Sequence, residues 1–202
     1  HKTEAVIYYP RLPRSWMGNG LIISPSLSEK GVKGSYELEV NSSEPVKIRQ
    51  LPEAYSRNVA GEWREGENGG NHLNPNWKKN PRYSLKFRSL NKGHAPARTR
   101  IKVTKHGEKW KSGSKKDTVG NMIGFYIFIC DKSDGGVGEL RQVFESPFAP
   151  DDTIATDLDF TLEGLGPKEE YIIMPATFNE GKKGAFVLSV TSEYEYTIVK
   201  EK

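Results

Sequence analysis

The sequence predicts an all-β protein, a sandwich or barrel of short strands. Three observations support this fold class. Twenty glycines and twelve prolines punctuate the 202 residues at short intervals. The runs between them alternate apolar and polar side chains with a period of two. No window of a dozen residues carries an apolar stripe at helical spacing. Short strands bounded by turn residues in this way form sandwiches or barrels.

The strands follow in order. Ser35–Val40, Tyr83–Phe87 and Arg100–Thr104 each alternate, so each should bury one face and wet the other. Ile123–Cys130 is continuously apolar and predicts a strand buried on both faces. Ala185–Val190 and Tyr194–Val199 read as a closing pair. Leu21–Ile48 also matches Tyr171–Ile198 at a constant offset, with Pro25/Pro175, Gly31/Gly181, Gly34/Gly184 and Leu38/Leu188 among the identities. A fixed register of this kind predicts tandem units. Residues 1–55 are then expected to be the C-terminal part of a preceding similar unit, and residues 56–202 one complete unit.

Composition narrows the function classes. Mean hydropathy is −0.66, yet eight Phe, nine Tyr and four Trp are enough to seed a core. No apolar run approaches the roughly 20 residues of a membrane-spanning helix. The opening His1-Lys2-Thr3-Glu4 has no signal-peptide pattern and reads as a piece cut from a longer chain. A single cysteine, Cys130, excludes an internal disulfide and points to a reducing, cytoplasmic setting. The net charge of +4 hides an asymmetry: residues 92–116 hold nine Lys/Arg against Glu108, whereas residues 117–170 hold twelve Asp/Glu against Lys132, Arg141 and Lys168. Such neighbouring blocks suit electrostatic docking. Nucleic acid is not expected as a partner, because no recognition motif accompanies the basic block.

The motifs then converge on a family. Gly61-Glu62-Trp63, the Gly69-Gly70 pair and Asn80-Pro81-Arg82-Tyr83 resemble the opening of domain III of the calpain cysteine proteases. Ile123-Gly124-Phe125 resembles that domain's buried strand. Glu170–Phe178, with Pro175, and the run from Gly184 to Val190 resemble its last strands. The matches occur in family order over residues 61–190, and tandem units are most similar to the PalB-like atypical calpains. Asn71 and Arg82 depart from the pattern, standing where Cys and Gln are usual. The resemblance implies an antiparallel C2-like β-sandwich of about eight strands that is itself non-catalytic. Its expected work is to regulate or target an intracellular cysteine protease, with the protease core, an unidentified protein or an anionic membrane as partner. The alternative is an autonomous Ca²⁺- or phospholipid-binding module.

The chemistry-bearing residues fit that expectation. Cys130 ends an apolar run, where a thiol is inert, and His72, His94 and His106 lie in polar stretches with no matching nucleophile. No cofactor is expected, with Ca²⁺ the one candidate. Asp131 and Asp134, and Asp151 and Asp152, are the carboxylates that loops at a sandwich end would offer a cation needing 6–8 oxygens. Lys105, Lys109, Lys111, Lys115 and Lys116 surround Trp110, a pattern suited to anionic lipid or an acidic partner. Gly61, Trp63, Gly69, Gly70, Asn80, Pro81, Gly124, Pro175 and Gly184 are expected to be structural.

Overall fold

Alternation and punctuation resolve into ten strands among the described residues, which in this computed structural model are 6–8, 23, 25, 34–48, 54–107, 122–132 and 138–201. The strands are β1 (Tyr55–Trp63), β2 (Tyr83–Phe87), β3 (Ala97–His106), β4 (Ile123–Asp131), β5 (Leu140–Glu145), β6 (Thr153–Ala155), β7 (Thr161–Leu162), β8 (Glu169–Thr177), β9 (Gly184–Ser192) and β10 (Tyr196–Lys200). The only helical piece described is a single 3₁₀ turn, Trp77–Lys79.

Internal contacts divide the chain into two units, His1–Arg49 and Gln50–Lys202. The described residues of the first unit form no helix or strand. Ser35–Val40, expected as a strand, is not one: Tyr36 is 72% and Leu38 43% exposed. Alternation creates two faces, but a strand persists only where a neighbour supplies its ladder hydrogen bonds.

The second unit is the sandwich. One sheet runs β1-β9-β3-β6, with β7 also paired to β3; the other runs β10-β2-β8-β4-β5. Every strand pairing is antiparallel. The core lies between the sheets. Ile101 and Val103 of β3 and Phe186, Leu188 and Val190 of β9 meet Ile123, Phe125 and Ile127 of β4 there. Each such aliphatic side chain withdrawn from water contributes about 2 kcal/mol. The continuous apolar run does form an interior strand buried on both faces, since Ile123 to Cys130 are all buried.

The expected closing pair does not form. β9 lies between β1 and β3, whereas β10 joins β2 in the opposite sheet. Glu193–Glu195 carry the chain across the sandwich, and Tyr196 fixes the crossing. Its ring is in the core and its hydroxyl donates to the Val190 carbonyl oxygen at 2.5 Å. A shared apolar pattern says which residues are buried, but not on which sheet.

Candidate functional site

The motif residues build two linked structures. At one end of the sandwich Trp63, fully buried, donates from Nε1 to the Pro175 carbonyl at 3.0 Å and packs on Phe186 with ring centroids 4.3 Å apart. Gly184 lies opposite Trp63 in the β1–β9 ladder. A side chain at Gly61 would strike the Phe186 ring and the Tyr83 hydroxyl, each 2.3 Å from its Cβ. Residues 64–82 then fold back over the outer face of β4 and β8. Asn80 Nδ2 closes this segment by donating to the carbonyls of Gly70 (2.6 Å) and Trp77 (2.8 Å). Asn71, in place of the usual Cys, donates its backbone N–H to Phe178 O at 3.2 Å and accepts from Leu73 N and Asn74 Nδ2. Pro81 is buried behind Asn80.

This roof covers a second apolar cluster of Tyr126, Phe128, Cys130, Ile172, Met174 and Ala176, against which Trp77, Leu140 and Phe148 pack. Trp77 stacks on Phe128 at 5.7 Å. Gly124 leaves room for the Phe148 ring, which would lie 3.0 Å from any Cβ placed there.

His72, which sequence reasoning left without a partner, has two. Its Nδ1 lies 3.1 Å from the Tyr126 hydroxyl and 3.2 Å from Glu145 Oε1, and its backbone N–H donates to the same hydroxyl at 3.0 Å. Burial pushes the Tyr126 phenol up to about 12. The arrangement ties the roof to β4 and β5. No sequence pattern could have signalled it, because the three residues are distant along the chain. His94 accepts from Asn91 N at 3.4 Å within its own turn.

Cys130 is 4% exposed, and burial raises its thiol above the ordinary range. Just beyond it, Lys132 pairs with Glu170 of β8 and, at 3.1 Å, with Glu201. These contacts neutralise charge beside the thiol, and no imidazole partner for it is found among the described residues.

The described candidate cation ligands, Asp131, Asp151 and Asp152, do not converge. Asp131 is the last residue of β4, whereas Asp151 and Asp152 follow Ala149, which bridges Ile123 at the strand's start. Nine extended residues separate the two places by roughly 25 Å, so Asp131 cannot share one ion with Asp151 and Asp152. Lys105 Nζ donates to Pro150 O at 2.6 Å, and its backbone N–H to Asp152 O at 2.8 Å. Burial lowers the Lys105 ammonium pKa, and the nearby Asp152 and Asp151 carboxylates oppose that shift. The ammonium thus lies in the field of these two acids. Asp134 lies outside the described residues, as do Lys109, Trp110, Lys111, Lys115 and Lys116.

The described part of the basic block forms a strand face. Arg98, Arg100 and Lys102 alternate on β3 with the core residues Thr99, Ile101 and Val103. The period of two over Arg100–Thr104 already marks Arg100 and Lys102 as the wet side of a strand, although it does not by itself mark that side as a binding face.

The family model for calpain large subunit, domain III, matches residues 59–191. The chain belongs to the calpain domain III family. It is a calpain-associated, non-catalytic module, and the motif residues that define it here hold the roof and the core rather than a reacting centre. A curated relative from Dictyostelium discoideum, named serine/threonine-protein kinase 4 homolog B, is 28% identical over 179 residues. That alignment covers 86% of this chain and 14% of the relative, so the chain spans about one-seventh of that protein's length. Gln50–Lys202 makes up about three-quarters of the chain. The similarity therefore reaches into His1–Arg49.

Proposed function

We propose that this domain III unit is a docking module that positions and regulates an enzyme joined or bound to it, in a cytoplasmic setting. One observation carries the reading. The outward face of one sheet is sealed by the family's own loop, while that of the other is open and cationic. A rigid body with one bare charged face suits recognition. The resemblance suggests a cysteine protease core as the enzyme. The relative's name suggests that such a module also serves a protein kinase, so its work would be positional and independent of the chemistry served.

The test is to add residues 50–202 in trans to the parent enzyme lacking them. A saturable change in its activity or localisation supports docking; indifference over the whole titration overturns it. The second reading, a Ca²⁺- or phospholipid-binding module, draws on Asp151, Asp152 and the lysines from Lys105 to Lys116. It expects micromolar Ca²⁺ binding by calorimetry and Ca²⁺-dependent sedimentation with phosphatidylserine vesicles. The Lys105 ammonium already lies in the field of the two aspartates, which favours the docking reading over this one.

A further inference from the structure

The outward side chains of β1, β3 and β9 form one continuous surface, and none of them is buried. The strand registers define its rows. Lys102 stands opposite Ser189, and Ser189 opposite Asn58; Arg100 stands opposite Thr191, and Thr191 opposite Ser56. Two cations, three hydroxyls and an amide therefore share a patch two rows deep and three strands wide. Ser56 and Thr191 hold each other at 3.0 Å. Arg100 and Lys102 enter no ion pair among the described residues. Three acids lie near this surface without pairing with Arg100 or Lys102: Glu62 at the far end of β1 in the row of His106, Asp157 just past β6 and level with Arg100, and Glu193 just past β9, whose carboxylate accepts from the Arg98 backbone N–H at 3.3 Å.

We infer that this face binds an acidic peptide in extended conformation, anchored by Arg100 and Lys102. The inference rests on the docking reading and names the chemistry of the partner. The match is one of period. Arg100 and Lys102 project from one side of a strand at a repeat of about 6.7 Å, which is also the repeat of alternate side chains in an extended chain. A peptide with glutamates at alternate positions thus presents one carboxylate to each cation, and Ser189, Thr191, Ser56 and Asn58 offer further hydrogen bonds. Arg adds bidentate geometry to its charge. The alternatives lack their usual anchors. Among the described residues no Phe, Tyr or Trp stands on this face, and the one ring, His106, lies at the end of β3 away from Arg100, so neither stacked bases nor an inserted membrane anchor has a platform beside the two cations.

The probe is a fluorescein-labelled peptide of alternating Ser and Glu, titrated with the 202-residue chain and followed by anisotropy. Saturable binding that weakens with added salt is expected. The double variant Arg100→Glu/Lys102→Glu should lose at least about tenfold in affinity. Lys78→Glu/Lys79→Glu, which alters the same charge on the roof of the other sheet, should stay within about twofold. Arg100→Gln/Lys102→Gln should fall between, which separates lost attraction from added repulsion. Absence of peptide binding overturns the inference, as does an equal loss in both double-Glu variants. So does binding of phosphatidylserine vesicles that displaces the peptide and needs the same two cations. Peptide binding with no effect on the enzyme in trans would overturn the docking reading and leave the peptide site standing.

Discussion

The two sheets of this domain treat their outer faces in opposite ways. On β4 and β8 the outward positions are Tyr126, Phe128, Cys130, Ile172, Met174 and Ala176, all buried beneath residues 64–82 and Phe148. On β3 and β9 they are Arg98, Arg100, Lys102, Val187, Ser189 and Thr191, none of them buried. Both sheets share one core, so the difference lies in what the sequence places on the alternate residue. Apolar alternates oblige the chain to supply a cover; polar and cationic alternates leave the face wet. The family motif is largely the machinery of that cover, and among the described residues of the two sheets the uncovered outer face is that of β1, β3 and β9.

If the roof holds one sheet together and the bare face carries no such burden, substitutions should separate sharply. The largest effect is expected at Gly69. A Cβ there would fall 1.9 Å from the Asn76 carbonyl oxygen, a backbone atom with no flexible end to yield. Gly69→Ala should cost about 3 kcal/mol in urea denaturation and expose the Tyr126–Phe128 surface to a hydrophobic dye. Trp77→Ala comes next, at about 2 kcal/mol, because the ring is only half-buried yet packs on both Phe128 and Tyr126. A Trp77→Ala protein as stable as the parent would show that the roof is ornamental and would end the comparison.

Alkaline titration sharpens it from another direction. Tyr126 under the roof and Tyr83 and Tyr171 in the core are all pushed up to about 12, chiefly by burial. In the unfolded chain these phenols ionise near 10. Between the two values the unfolded state binds fewer protons than the native one, so stability falls as pH rises through that window. Their contribution is complete below about pH 10 and lost above about pH 12. Absorbance at the phenolate band should therefore show late-ionising tyrosines whose titration coincides with loss of the fold. His72→Ala should cost less, about 1 kcal/mol, because the backbone N–H of residue 72 keeps its bond to Tyr126.

Sequence reasoning reached the sandwich and the family because both depend on local pattern. Ile123–Cys130 announced a doubly buried strand, and the spacing from Gly61 through Asn80-Pro81 announced the loop. What it missed is long-range. Tyr194–Val199 matched Ala185–Val190 in pattern, but partner choice rests on the Tyr196 hydroxyl reaching back to Val190. Asp131 and Asp151 looked like neighbours in one acidic block, but β4 sets them at its two ends. His72, Tyr126 and Glu145 meet only because the roof folds over β4. Ser35–Val40 alternates as well as β3 does, yet lacks the ladder that β9 gives β3. The cations of β3 were legible, since they alternate with Ile101 and Val103; what mattered was reading the basic block by its period rather than its sum.

The smallest expected effect is also the most discriminating. Arg100→Glu/Lys102→Glu should change unfolding free energy by no more than about 0.5 kcal/mol. Neither residue has an ion-pair partner among the described residues, so the substitution breaks none there. Arg98, Arg100 and Lys102 repeat along one side of β3, and reversing two of the three charges even relieves their mutual repulsion. Solvent and salt screen what remains. A loss above about 1 kcal/mol would mean that something in the folded chain already lies on this face, since an exposed cation with nothing against it cannot cost that much. Near-neutral stability together with lost peptide affinity is the combination expected of a face kept bare for recognition.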